Sequence, residues 1–203
     1  MSRIGFIAAM VCFASAHAVA QLPVGIGIKG GVAVTDAFEN NTLSYENRLT
    51  ATIVVHNYSP SKDYLVGPFI ELRLPLGFGV EADGLYRQLH FATLVTGATT
   101  PYEIRSNSWE FPILAKYRFK LPIARPYIDA GPSFRTSSNT FSGSTLSHSG
   151  FAAGAGVDIK ALLLHISPEI RYTRWAADSI PAGTTDPPYS NENQVELLVG
   201  IGF

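Results

Sequence analysis

Residues 194–203, QVELLVGIGF, decide the fold, because apolar side chains occupy every second position of this stretch. These apolar positions are Val195, Leu197, Val199, Ile201 and Phe203. The positions between them are mostly polar or small. Successive side chains of a β-strand point to opposite faces, so a period of two predicts a strand with one apolar face.

The same alternation recurs in seven further segments, which brings the number of predicted strands to eight. These segments are 24–34, 68–74, 78–89, 109–119, 125–135, 150–160 and 166–173. Short turns are predicted at 75–77, 121–123 and 161–162, and long polar connections at 36–62, 91–107, 136–148 and 176–191. Short and long connections in alternation predict an all-β fold, an antiparallel up-and-down barrel of eight strands.

Charged residues lie almost entirely on one face of these strands. The acids on that face are Glu71, Glu81, Asp83, Glu110, Asp129, Asp158, Glu169 and Glu196. The bases are Lys29, Arg73, Arg87, Lys116, Arg118, Arg135, Lys160 and Arg171. The opposite face carries Arg174, near a strand end. Because a buried charge must be paired, we expect a structural network of ion pairs if this face lies inside the barrel.

The composition excludes two other classes of protein. Charged residues make up 15% of the 203 residues, against roughly 25% in an ordinary soluble domain. The formal net charge is −1, and the absence of a basic excess argues against nucleic-acid binding. A hydrophobic content of 46% argues against disorder. We expect a single domain and no cofactor.

Residues 1–20 have the three parts of a secretory signal peptide. Arg3 provides the positive charge, residues 4–14 the apolar run, and Ala18-Val19-Ala20 the small residues of a cleavage site. The predicted mature chain, residues 21–203, is then one barrel domain. Cleavage would remove Cys12, which is the only cysteine, so we expect neither a disulfide nor a thiolate site.

Two kinds of barrel fit the alternation, and they differ in which wall faces inward. A soluble ligand-binding barrel would place Ile70, Phe111, Ile128 and Ile170 inside, whereas a membrane barrel turns apolar residues toward lipid. Strands of about 9–11 residues match a membrane crossing. Aromatic residues near strand ends match interfacial girdles: Tyr86, Phe91, Trp109, Phe119, Phe134, Tyr172 and Trp175. These features favour a membrane barrel with short periplasmic turns and long extracellular loops.

Three segments resemble the small porin-family outer-membrane β-barrel domain, namely 80–87 (VEADGLYR), 109–119 (WEFPILAKYRF) and 125–132 (RPYIDAGP). Phe203 with the apolar positions before it is similar to the insertion signal of bacterial outer-membrane barrels. The resemblance covers 22–203 and implies an OmpA- or OmpX-like protein of the Gram-negative outer membrane. It further implies contact with outer-membrane lipid and recognition of the last strand by the barrel-assembly machinery. Because the sequence ends at that strand, we do not expect the peptidoglycan-binding role of larger OmpA-type proteins.

Five prolines lie inside predicted strands: Pro68, Pro112, Pro126, Pro132 and Pro168. Proline has no amide proton to donate to a neighbouring strand. We therefore expect local breaks in the hydrogen-bond ladder at these positions.

Several functions are compatible with this barrel. We favour a structural or surface-interaction role through the extracellular loops, in which residues 49–55 extend the strands above the membrane. The alternative is a narrow diffusion channel for ions or small solutes. A lipid-modifying enzyme would need a nucleophile and a base within hydrogen-bonding reach, and His165, Ser167 and Glu169 share one face of one strand. We expect these three to line the lumen, and we expect a monomer without enzyme activity or a metal site.

Overall fold

The computed structural model describes residues 23–37, 40–46, 52–59, 62–121, 124–137, 147–161, 164–176 and 191–203. The predicted signal peptide lies outside the described residues, as do 122–123, 162–163 and most of the predicted loops at 136–148 and 176–191. The strands are β1 (Val24–Ala33), β2 (Asn41–Glu46), β3 (Thr52–Tyr58), β4 (Tyr64–Arg73), β5 (Phe78–Asp83), β6 (Leu85–Val95), β7 (Tyr102–Arg118), β8 (Ala124–Ser137), β9 (Ser149–Ala161), β10 (Leu164–Trp175) and β11 (Asn193–Gly202). Within these ranges, no helix is long and apolar enough to cross a membrane.

The strands close into an antiparallel barrel, because β1 pairs with β11 on one side and with β4 on the other. β5 and β6 together form one barrel strand. Ala82 pairs with Ile113 before Gly84, and Leu85 pairs with Glu110 after it, so the register against β7 is unchanged. The wall therefore contains eight strands, and the predicted all-β up-and-down barrel is confirmed.

The stagger of the barrel follows from the partners traced once around the wall. The circuit from β1 runs through Val24, Leu72, Val80, Ala115, Ala130, Ala153, Tyr172, Val195 and Val34. It returns to the first strand ten residues further along, at 34 instead of 24. For eight strands, such a stagger corresponds to a tilt of roughly 40°. A closed wall leaves no unpaired edge in the membrane.

The outer wall is apolar and exposed. Its side chains include Ile70, Phe111, Ile128 and Ile170, which are 52%, 42%, 52% and 52% exposed. These are the four residues that a soluble ligand-binding barrel would place inside. That alternative is therefore wrong.

Aromatic side chains mark the two ends of the outer wall. Tyr86, Trp109, Phe134 and Tyr172 lie on it toward the long loops, and the rings of Tyr86 and Trp109 are 5.5 Å apart. Phe119 lies toward the short turns, with its ring 5.1 Å from that of Tyr117. This arrangement matches the two interfacial girdles of a membrane barrel. The side chain of Phe91 lies outside the described residues.

Trp175 does not belong to the loop-end girdle, although its place near a strand end predicted that it would. Its side chain is buried inside the barrel, and its ring lies 4.1 Å from the guanidinium carbon of Arg135. The period of two explains this position, because residue 175 shares the inward face of β10 with Arg171 and Thr173. The face of the strand, not the distance to its end, decides where the ring points.

The ladder is interrupted beside four of the five prolines, namely Pro68, Pro112, Pro132 and Pro168. Between β9 and β10, for example, pairing stops at Ile166 and resumes at Glu169 in the same register. Such a gap removes hydrogen bonds without adding a bulge. The break predicted at Pro126 is absent from the β8–β9 ladder. On its other side, the Pro126 carbonyl accepts from Phe119, just beyond the end of β7.

The predicted loop at 91–107 is wrong for most of its length. β6 continues to Val95 and β7 begins at Tyr102, so a turn of six residues, 96–101, joins them. β2 and β3 form a second hairpin, and β3 pairs with the end of β6 through Val55 and Val95. These strands lack regular apolar alternation because both of their faces lie beyond the lipid. Residues 52–55 of the predicted strand extension belong to β3, whereas 49–51 lie outside the described residues.

Candidate functional site

The structure places the sequence-predicted charges on the inner wall of the barrel. Thirteen of the sixteen are buried: Lys29, Glu71, Glu81, Asp83, Arg87, Glu110, Lys116, Asp129, Arg135, Asp158, Glu169, Arg171 and Glu196. Arg73 and Arg118 are half-buried, and Lys160 is exposed; all three lie toward the short turns. The buried and half-buried charges form three groups along the barrel axis.

The central cluster consists of Lys29, Glu81, Asp83, Lys116, Asp129, Glu169 and Arg171. The Lys29 ammonium donates to Glu81, to Asp83 at 3.3 Å and to Glu169 at 3.0 Å. Arg171 donates to Glu169 at 2.7 Å and to Asp83 at 2.8 Å. Each of these cations therefore joins carboxylates from different strands, which ties opposite sides of the wall together.

Lys116 and Tyr127 complete the central cluster. The Lys116 ammonium donates to Glu81 and lies 4.2 Å from the centre of the Tyr127 ring. The Tyr127 hydroxyl donates to Glu169 at 3.1 Å. Ammonium–carboxylate and cation–π contacts are worth most where water is excluded, as it is here.

Glu81, Asp129 and Glu169 bring carboxylate oxygens within 4.8 Å of one another, a spacing that could serve a metal ion. The ammonium groups of Lys29 and Lys116 already bind two of these carboxylates. The arrangement therefore supplies its own cations, and we assign it as an ion-pair network.

The loop-end cluster consists of Asp63, Arg87, Glu110, Arg135 and Glu196. The fully buried Arg87 guanidinium is 3.2 Å from Asp63, 3.4 Å from Glu110 and 3.4 Å from Glu196. It also donates to the side-chain oxygen Oε1 of Gln194 at 2.7 Å. Arg135 faces Glu110 across the β7–β8 pair. Three carboxylates thus share the Arg87 guanidinium.

Asp63 is a member that the sequence pattern missed. It precedes β4 and therefore lies outside the alternating segment from which the interior charges were identified. Burial raises the pKa of its carboxyl, and the Arg87 guanidinium opposes that shift. An acid five residues before the predicted strand 68–74, in register with the inward face of that strand, is the signal that could have found it.

The turn-end cluster consists of Glu71, Arg73, Arg118 and Asp158. Arg118 donates to Glu71 at 2.6 Å and to Asp158 at 3.0 Å. Arg73 lies 3.7 Å from Glu71. The side chains of Arg73 and Arg118 are 32% and 11% exposed, so this cluster is closer to water than the other two.

Apolar side chains fill the space between the clusters. Leu65, Leu85 and Leu198 pack together on the inner wall between the central and loop-end charges. Leu89, Leu114 and Trp175 are also buried. An eight-stranded barrel is just wide enough for its side chains to fill the interior, and paired charges and leucines occupy the lumen here.

His165, Ser167 and Glu169 all point inward but do not assemble as a nucleophile and its base. The Glu169 carboxylate is bound by Lys29, Tyr127 and Arg171. No hydrogen bond joins His165 to Ser167 in the described residues. The geometry thus offers Ser167 no activating base among these three.

The predicted insertion-signal residues lie along the outer wall of β11. Leu197, Val199, Ile201 and Phe203 are exposed, and Val195 is half-buried. β11 is paired on both sides, with β1 and β10. Recognition of these residues by the assembly machinery stays a prediction.

Comparison with known proteins agrees with this architecture. Residues 4–203 match the family described as "Outer membrane protein beta-barrel domain". None of the curated proteins matches the sequence significantly. Among solved structures, Neisserial surface protein A is similar with a TM-score of 0.53 and 14% identity, over 88% of this chain and 95% of that one. The transport unit of the autotransporter AIDA-I from Escherichia coli is 12% identical over 90% of each chain, with a TM-score of 0.35.

Proposed function

The chain belongs to the family of outer-membrane β-barrel proteins, and we propose that its role is recognition at the cell surface through the sheet carried by its loop end. The observation that supports this proposal is the β2–β3 hairpin. It pairs with the end of β6 and extends the barrel wall beyond the girdle. A rigid barrel that holds an exposed sheet is a common design for binding proteins.

The hairpin offers a strand edge to a partner. In the described residues, β2 pairs with β3 alone. The Val54 amide and carbonyl both bond to Thr96, on the side away from β2. In an antiparallel pair, Ser44 opposite Val54 must then direct its own amide and carbonyl away from β3. An extended peptide could bind there as an additional strand.

The filled lumen weighs against the alternative, a diffusion channel. Ions would have to pass the central cluster, where Lys29 and Arg171 bridge carboxylates of different strands. Separating such buried pairs costs several kcal/mol per ion. We expect planar-bilayer recordings of the purified protein to show no conductance steps. Regular, reproducible steps would instead support the channel.

The edge is tested with peptides selected from a displayed library on the full-length protein in nanodiscs. Ser44→Pro removes the outward amide of β2 without removing a bond to β3. We expect it to abolish peptide binding, whereas Ser44→Ala, which keeps the amide, should bind like the wild type. Peptides that bind Ser44→Pro unchanged, or no enrichment on the wild type, would contradict recognition through this edge.

A further inference from the structure

A cleft of about 550 Å³ opens at the turn end of the barrel. It lies between the turn that follows β4 and residues 119–121, which follow β7. Its lining residues are Arg73, Leu74, Gly77, Phe78, Arg118, Phe119, Lys120, Leu121 and Arg125. The lining thus combines four basic side chains with four large apolar ones.

The basic side chains exceed the acids that contact them. Glu71 and Asp158 both bind Arg118, which leaves a formal charge of +2 for the four bases and these two carboxylates. Lys120 and Arg125 are exposed. The cleft therefore favours an anionic group, and its positive charges come from three separate elements of the chain.

The apolar side of the cleft is continuous with the lipid-facing wall. Leu74, Phe78, Phe119 and Leu121 are all exposed, and the Phe78 ring lies 5.0 Å from that of Tyr117 in the turn-end girdle. A molecule that fits both sides must carry an anionic head and an apolar tail. A free anion would leave the apolar half of the lining uncovered.

We propose that this cleft binds the headgroup of an anionic phospholipid from the periplasm-facing leaflet. Arg73, Lys120 and Arg125 contact the phosphate, and Phe78 and Phe119 pack against the upper acyl chains. Arginine is suited to phosphate because its planar fork of donors matches the phosphate oxygens. The depth is also suitable, because the short turns of such barrels lie at the periplasmic interface.

The test is native mass spectrometry of the full-length protein released from nanodiscs that mix phosphatidylethanolamine with a minor fraction of phosphatidylglycerol. We expect the wild type to retain phosphatidylglycerol in preference to phosphatidylethanolamine. The double variant Lys120→Gln/Arg125→Gln changes two exposed residues outside the buried network. Each removed charge should lower the preference about five-fold. Heat-modifiable gel mobility verifies that the variant is a folded barrel.

The matched control is Arg105→Gln/Arg174→Gln, which removes two exposed bases at the loop end. It should leave the preference unchanged. An equal loss in this control would overturn the proposal, since only net charge would then matter, and so would equal retention of the two lipids by the wild type. Glycerol phosphate provides the last arm. Glycerol phosphate carries the anionic group without acyl chains. If it displaces phosphatidylglycerol from the protein, the cleft binds the anion alone and the lipid assignment is wrong.

Discussion

The two ends of the lumen contain the same kinds of residues but differ in their access to water. At the loop end, Arg87 is fully buried beside Asp63, Glu110 and Glu196. At the turn end, Arg118 binds Glu71 and Asp158 but keeps 11% of its side chain exposed. Removal of an arginine shared among buried acids leaves those acids without a partner. Near the surface, water can solvate the acids that lose their arginine.

The difference has a physical cause in how each end is closed. Trp175 lies against Arg135 inside the loop end, and the strands there continue beyond the girdle as hairpins. The turn end stops at connections as short as Pro75–Gly77, which leaves Arg73 and the basic cleft open. The lumen is therefore enclosed at the loop end and open to water at the turn end.

The largest expected effect breaks the loop-end cluster. Arg87→Met leaves three buried carboxylates beside one remaining guanidinium, Arg135, and should lower the free energy of unfolding by about 3–5 kcal/mol. Arg118→Met should cost roughly half as much, because Arg73 still faces Glu71 and water reaches it. Urea titration of the protein in lipid vesicles measures both values. Equal losses would remove the distinction between the two ends.

The next effect tests whether lipid covers the outer wall. Ile113 lies on the outer wall of β7, four residues from both Trp109 and Tyr117 and hence midway between the girdles. Ile113→Arg should cost about 2–4 kcal/mol, since a charge at the bilayer midplane lacks both water and a partner. Ile113→Ala is the control for lost apolar area. If arginine cost no more than alanine, lipid would not cover this wall.

A spectroscopic effect distinguishes the two tryptophans. Brominated phospholipids should quench Trp109 emission in the Trp175→Phe variant, because Trp109 is exposed on the outer wall. They should leave Trp175 emission almost unchanged in Trp109→Phe, because that ring is enclosed beside Arg135. Strong quenching of Trp175 emission would mean that its ring lies in the girdle and that lipid reaches the loop end of the lumen.

The smallest effect concerns the turn end. Leu76 adopts a φ of 67°, a left-handed conformation that is unfavourable for leucine but accessible to asparagine. Leu76→Asn should raise the free energy of unfolding by about 0.5–1 kcal/mol in the same urea titration. Leu74→Asn is the control, because Leu74 has an extended backbone and gains nothing. If both variants were stabilised, the gain would come from the polarity of asparagine and not from relief of the left-handed conformation.

Much of this fold was predictable because a strand places alternate residues on opposite walls. Lys29, Glu81 and Glu169 follow that rule, so their common wall could be read from their positions alone. Asp63 and Trp175 could not be assigned in the same way, the first because it precedes its strand and the second because nearness to a strand end was given too much weight. Of β2 and β3, only residues 52–55 were predicted as strand, and the ends of β6 and β7 within 91–107 were missed, because these segments lack the regular apolar alternation of the other strands.

The amino-acid sequence by itself determined which side chains share a wall, because alternate residues of a strand point to opposite faces, and it favoured the apolar wall for lipid, since an unpaired charge is too costly in the bilayer. Only the tertiary structure decided which charges meet. Lys29 binds Glu169 across 140 residues of sequence, and the stagger of ten residues around the wall, from Val24 to Val34, sets the height of each side chain. Stagger is a property of the closed barrel and is not contained in any one strand.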